Sequence, residues 1–375
     1  MSATNIPFGS PLAVKRFSTM LFEEMPAMSY WHSSFMANET AMAQSPVQIT
    51  DDLKKGAGDT VQVSLRMNLI GDGVYGDDWL EGNQKRLSYY TDSVIINRVR
   101  CPTDAGGKMS AQRTVMNMRK DAKELVTQWC ADYLDENFFF YLAGARGVNT
   151  ACILSTGYAG VQDTQGFVAP DSSHQFYTTN AITSAAGLTS ADKMTLQVIE
   201  RAAAITATLG GGQTGVPPVR PIKQGGKDYY VFLMHTNQQY DLRQQVGSNS
   251  WWEMEKALVT AKGKEAELFA GGLGMVNNMA LHVHKKVVRF NNAGVGFPNG
   301  SVETARASVM GAQALLAAFA GSGVGKDRYS WVETFGDLDK SRAIVTADMM
   351  LGIKRPKFNG KDVGSIHFDT AAADA

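Results

Sequence analysis

Apolar residues recur at steps of three and four from Val115 through Met118, Ala122, Leu125, Trp129 and Tyr133, a spacing that paints one stripe along a helix. Arg119, Lys120, Lys123, Glu124, Gln128 and Asp132 fall on the other face. Ser110 stands where it can accept the free N–H groups of a first turn, although Arg113 occupies the position a capping box reserves for Glu or Gln. Gly144 supplies the stop, so the pattern predicts one helix over 110–144. At 1.5 Å per residue such a helix reaches about 50 Å, the length of a strut. Phe138, Phe139, Phe140, Tyr141 and Leu142 are consecutive, so its last turns are expected to be covered on every side.

The period changes to two from Thr60 to Met67, and less strictly from Leu87 to Val99, where Tyr89, Val94, Ile95, Ile96 and Val99 stand. Between these strands lies a Gly- and Asp-rich run over 71–82 that turns the chain around. Its acidic residues invite calcium, but the alternating ligand order, central Gly and terminal Glu of an EF-hand loop are missing. Trp79 and Leu80 carry more information, because an isolated hairpin tip has nothing to bury them and a neighbouring subunit does. Lys85 and Arg86, at the same end, join them as candidate inter-subunit residues.

Residues 1–58 read as an arm. A short amphipathic piece from Val14 to Met25 meets Pro26, and Met28, Tyr30, Trp31, Phe35, Met36 and Met42 follow without a sustained period. Trp31 and Phe35 need burial on another domain or another subunit and are candidate inter-subunit residues as well, although an arm wrapping its own subunit would serve equally. Beyond the long helix come an irregular stretch over 145–183 and a helix over 191–209 capped by Ser190. A linker follows at Gly210-Gly211-Gly212, which lacks phosphate-loop order. A strand at 229–234, helices at 237–245 and 251–262, and strand material at 279–290 form an α+β block. Ala307 to Val324 carries no charge but is too rich in Ala, Gly and Ser for a membrane span, and reads as a closely packed buried segment. Short strands at 343–346 and 364–368 and turns at 336–337 and 359–360 close the chain.

With 375 residues, 44% of them apolar, the chain has material for a substantial core. Thirty-six basic residues balance thirty-six acidic ones, so no overall attraction to nucleic acid is encoded, and little self-repulsion opposes dense packing of copies. Cys101, Cys130 and Cys152 are odd in number and lack CxxC spacing, which suits a reducing cytoplasm, and Met1 to Lys15 has no apolar core after a basic start, so a secretory signal is not expected. His282 and His284 share a strand face and His235 ends another strand, a set that would suit a metal-dependent enzyme, yet no carboxylate or cysteine partner is apparent and a structural role is preferred. No nucleophile elbow, HExxH helix, Walker sequence or dinucleotide fingerprint occurs. No catalytic, cofactor or metal residues are therefore assigned.

Several stretches, in order, resemble the major capsid proteins of tailed bacteriophages. They are Asp51-Asp52-Leu53-Lys54-Lys55-Gly56-Ala57-Gly58-Asp59, Gly71-Asp72-Gly73 with Leu80-Glu81-Gly82-Asn83, and Gly107-Lys108-Met109-Ser110-Ala111-Gln112-Arg113. Gly311-Ala312-Gln313-Ala314-Leu315 and Gly352-Ile353-Lys354-Arg355-Pro356-Lys357-Phe358-Asn359-Gly360 complete the series. These patterns are similar to the branch that includes the capsid protein of podovirus N-four. The resemblance implies an α+β fold of the Hong Kong 97 type. It divides the chain into an arm (1–58), an extended β-hairpin loop (59–107), a peripheral domain with a spine helix (108–214), an axial domain (215–300) and a return through both (301–375). It implies hexamers and pentamers of self closing an icosahedral head, made in the host bacterial cytoplasm and residing in the virion. Implied partners are a separate scaffolding protein, a portal protein, a possible decoration protein and non-specifically contacted double-stranded DNA, with no membrane and no cofactor. Lys85 and Asn359 have the residue types that some members crosslink, but ordinary surface roles are preferred. An encapsulin-like compartment shares the fold and stands as the alternative, ahead of an oligomeric metal enzyme using His235, His282 and His284.

Overall fold

The computed structural model describes residues 28–36, 45–50, 58–66, 69–77, 79–85, 87, 89–161, 165–211, 214–224, 226–245, 274–291, 302–321, 329–335 and 342–373. The expected elements at 14–25 and 251–262, the turn at 336–337 and the side chain of Arg86 lie outside them.

The arm contributes a short helix, Tyr30–Ser34 (α1), and a strand, Val47–Thr50 (β1). The alternating stretches become Thr60–Arg66 (β2) and Tyr89–Ile95 (β3), an antiparallel hairpin in which Thr60 faces Ile95 and Arg66 faces Tyr89. After Ile96 the chain enters Asn97–Gly107 (β4).

The helix expected over 110–144 is two helices, Lys108–Arg113 (α2) and Met118–Ala143 (α3). Thr114 is extended at φ −113° and ψ 136°, and Asn117 caps α3 by accepting from the Lys120 N–H. A short polar side chain that mimics a turn's acceptor favours a helix start over helix continuation. Val115 and Leu125, assigned to the buried stripe, are exposed, whereas Ala122, Val126, Cys130 and Tyr133 face inward. From Tyr133 to Ala143 every residue is buried, as the consecutive aromatics require, and Gly144 ends the helix in the left-handed region at φ 75°.

Gln175–Tyr177 (β5) follows, then Leu196–Thr208 (α4), which starts later than expected because Asp192 accepts from the N–H and hydroxyl of Thr189 and holds 189–192 as a turn. Next come Ile222–Gln224 (β6), Lys227–Met234 (β7) and Thr236–Gln244 (α5), then Met275–Val276 (β8), Met279–Val283 (β9) and Arg289–Phe290 (β10). The small-residue segment is two strands, Thr304–Met310 (β11) and Leu315–Ala320 (β12), both buried throughout. Tyr329–Phe335 (β13), Arg342–Lys354 (β14), Lys357–Phe358 (β15), Lys361–Asp362 (β16) and Ser365–Ala371 (β17) complete the order. Asn359 and Gly360 make the tight turn between β15 and β16 with φ of 53° and 72°.

Among the described residues two larger sheets gather most of these strands, while β2–β3 and β15–β16 are two-stranded pairs of their own. The first runs β1-β12-β14-β13, with β4 pairing with β14, and α3 packs on it through Val126, Cys130 and Leu134. The second runs β5-β17-β11-β7-β9-β8, with β10 on β11 and β6 on β7, and is covered by the Val198, Ile199 and Ala202 face of α4. Its strands come from both sides of 214 and of 300.

Two buried arginines sit where the second sheet meets the end of α3. Arg306 donates to both oxygens of Asp369, at 2.7 and 2.8 Å, and to the Ala143 carbonyl. Arg355 donates to Asp362 and to the carbonyls of Leu142 and Val168. The carbonyls that a helix C-terminus leaves unpaired are thus taken by guanidinium groups.

Candidate assembly interface

The hairpin β2–β3 extends away from the first sheet. Val61 and Val94 at its root pack on Leu316 and Ala318 of β12, but toward the tip the side chains lose that cover. Tyr75, Trp79 and Leu80 are 71%, 79% and 73% exposed, and Leu69, Ile70, Leu87 and Tyr89 add to the exposed apolar surface. So many large apolar side chains left exposed on one hairpin make it the candidate site of protein contact. The turn is braced internally: Asn83 donates from its amide to the Trp79 carbonyl at 2.8 Å and from its backbone to Leu80. Lys85 donates to the Gly71 carbonyl and so joins the two limbs of the loop. Asp72, Asp77 and Glu81 are all exposed, and they are not among the described residues whose ligand atoms converge.

Trp31 and Phe35 are placed differently. Trp31 is fully buried and Phe35 nearly so, packed in tilted and edge-on contacts among Phe138, Phe139 and Tyr30 of the same chain. The neighbour that these side chains required is their own long helix, and sequence spacing had no means to choose between it and another subunit.

The three histidines lie apart in role. His235 caps α5, its Nδ1 accepting from the Asn237 N–H at 3.1 Å. His282 packs edge-on against Phe35, and its Nδ1 lies 3.5 Å from the Tyr30 hydroxyl. His284 stacks on both Tyr30 and Phe139, with ring centres 4.6 and 4.7 Å away, and those two rings stack on each other at 6.0 Å. Burial and the nearby charges of Lys286, Lys285 and His235 bring His284 down to about 4. His282 and His284 are packing groups for the arm, and His235 is a helix cap.

A group that the sequence did not signal is Asp171, His174 and Asp362, whose ligand atoms lie within 4.8 Å of one another. Asp362 accepts from Arg355 at 3.0 Å and from the Asp171 N–H at 2.9 Å, while Lys361 lies 3.2 Å from Asp171. Burial pushes the Asp171 carboxyl up, but the Ser173 hydroxyl, the His174 charge and Lys361 together bring it down to about 2. Two carboxylates already balanced by an arginine and a lysine do not fit a divalent cation. Nor is this a nucleophile–base pair: Ser173 and Asp171 both lie on the Nδ1 side of His174, at 3.2 and 2.6 Å, whereas a triad needs them on opposite nitrogens. Chain proximity, Asp171-x-x-His174, was the one legible part; Asp362 arrives by tertiary folding.

The model of the phage capsid protein family matches residues 5–374. The chain belongs to that family. It is 26% identical over 355 residues to the major capsid protein of Pseudomonas phage KPP25, covering 87% of each. Among solved structures it superposes on the capsid of Ralstonia phage GP4 with a TM-score of 0.77 at 36% identity, over all of this chain and 99% of that one. The capsid of Cyanophage Pam1 has the same fold, with a TM-score of 0.69 at 19% identity over 91% of this chain and 96% of that one. The fold is of the Hong Kong 97 phage capsid type.

Proposed function

We propose that this chain is the major capsid protein of a tailed phage, many copies of which form hexamers and pentamers that close an icosahedral head around double-stranded DNA. The observation that carries the reading is likeness over the whole length to phage capsid proteins, which favours a phage head over an encapsulin-like compartment. The hairpin supports it physically: Trp79 and Leu80 stay exposed on a single subunit, and a symmetric shell supplies their missing cover. Trp79, Leu80, Lys85 and Arg86 are the proposed inter-subunit residues.

The chain acts in the virion as a structural protein without catalytic activity, made in the host cytoplasm. Its further partners are a separate scaffolding protein, a portal protein and, at the outer surface, a possible decoration protein. Its contact with DNA is non-specific, through local basic faces, because overall charge is balanced. Negative-stain electron microscopy and sedimentation of the protein, expressed alone and with the genes flanking its own, test the reading. Closed shells, tubes or hexameric rings are expected; a small discrete oligomer in both preparations would refute it.

A further inference from the structure

Among the described residues the hairpin β2–β3 is a sheet of its own, and β3 pairs with no strand other than β2. Its direction is therefore set where it leaves the body, between Asp92 and Asn97. Three contacts meet there. Val61 and Val94 pack on Leu316 and Ala318. Asp92 accepts from the Lys354 ammonium and, at 2.9 Å, from the Lys357 N–H. On the outer edge of β3, the side-chain amide of Gln165 accepts from the Ile95 N–H at 2.9 Å and donates to the Ser93 carbonyl at 2.8 Å.

Those two backbone groups are the ones a neighbouring strand would take in a ladder, and one side chain reaches both, with the Lys354 ammonium sharing the Ser93 carbonyl at 3.0 Å. Gln165 is in turn held from the long helix. The Tyr141 hydroxyl donates to the Gln165 carbonyl at 3.1 Å and accepts from the Val161 N–H at 3.0 Å, while Asn97 donates to the Val161 carbonyl at 2.8 Å. Bonds thus lead from Tyr141 on α3 to Val161 and to Gln165, and from each of these to the hairpin root.

Apolar contact is non-directional: it resists separation of the hairpin from β12 but permits tilting. Hydrogen bonds weaken steeply off axis and so select an angle. We infer that Gln165 is a positioning residue that sets the angle at which the hairpin is presented to the neighbouring subunit. The inference rests on the reading that the hairpin tip engages that neighbour. Leverage makes the angle matter. From Ser93 to Trp79 the chain spans up to about 45 Å at roughly 3.3 Å per residue, so a tilt of about 10° moves the tip by roughly 8 Å. Side-chain contacts reach only about 4 to 4.5 Å, so uniform shells require a defined root.

The test compares Gln165→Ala, Gln165→Glu and the tip variant Trp79→Ser/Leu80→Ser, each expressed with the flanking genes. Particles are measured by electron microscopy, and the unassembled subunit by urea unfolding and amide hydrogen exchange. Gln165→Ala is expected to keep the unfolding midpoint, raise Ile95 exchange about tenfold, leave α3 amides unchanged and yield shells of mixed diameter or open sheets. Gln165→Glu keeps the acceptor for Ile95 and is expected to preserve its protection while losing the bond to Ser93, giving particles between the two. Uniform wild-type shells from Gln165→Ala, while the tip variant fails to assemble, overturn the positioning role alone. Faster exchange throughout α3 overturns it too, since Gln165 would then support the fold at large. Wild-type shells from the tip variant instead overturn the interface reading beneath it.

Discussion

The Ser29 hydroxyl donates a 2.6 Å hydrogen bond to the Asp135 carboxylate, joining residues 106 positions apart and fastening the arm to the long helix. The same carboxylate accepts from the backbone N–H groups of Tyr30 and Trp31, so a buried acid on α3 satisfies the free donors at the start of α1. Ser29 also caps α1 by accepting from the His32 N–H. Trp31 and Phe35 then drop into the aromatic end of α3.

Asp135→Ala leaves those donors without their acceptor and is expected to cost about 2–4 kcal/mol, with Asp135→Asn costing less because one acceptor oxygen remains. Urea unfolding reads the loss. Limited proteolysis should find new cleavage between Met28 and Phe35, and an unaltered cleavage pattern would show that the latch does not hold the arm.

Gly144→Ala should destabilise by about 2–4 kcal/mol, combining left-handed strain with overpacking. An added Cβ would sit 2.3 Å from the Val168 carbonyl oxygen at a backbone φ of 75°. Gly73→Ala, where nothing lies within 4 Å, is the matched control and should stay within about 0.5 kcal/mol of wild type.

Asp369→Ala strands Arg306, which has no exposure, and is expected to cost about 3–5 kcal/mol. Replacing both partners, Arg306→Met with Asp369→Leu, should recover a large part of that loss, although the Ala143 carbonyl forfeits its donor. Chemical denaturation of the two single variants and the double variant measures the coupling.

His284 makes stability fall with acid. Its folded value of about 4 lies below the ordinary histidine value near 6.5, so the unfolded chain binds more protons between those limits and stability declines as pH drops through them. Allowing for its partial exposure, the effect is up to about 2 kcal/mol. His284→Phe keeps an aromatic ring against Tyr30 and Phe139 and should flatten the Tm profile from pH 6.5 to 4. A profile as steep as wild type would assign the acid sensitivity to another group.

Trp79→Ser/Leu80→Ser should abolish closed particles while leaving the subunit's thermal unfolding within a few degrees of wild type, because neither side chain has cover to lose. Sedimentation and calorimetry separate the outcomes: insoluble or unfolded protein would mean that the tip supports its own subunit.

Elements whose evidence is local were legible in the sequence. Alternation over Thr60–Arg66 and Tyr89–Ile95 specified the hairpin, and the Gly- and Asp-rich run between them specified its turn, because side-chain period and turn chemistry need no distant partner. The aromatic run Phe138–Tyr141 foretold all-round burial for the same reason. The capsid resemblance came from ordered motifs. Local reading failed where two local signals competed, as at Asn117, which starts a helix inside a stripe that Val115 and Met118 had made continuous. Tertiary structure alone decided the rest. β1 slots parallel to β12, Asp135 captures Ser29, Asp362 joins His174, and Gln165 stands in for a strand beside Ile95. Each of these joins positions tens to hundreds apart, where hydrophobic periodicity carries no record of which polar group meets which. The choice of partner arises only when apolar burial has brought the segments together and left a few buried donors and acceptors that must be satisfied.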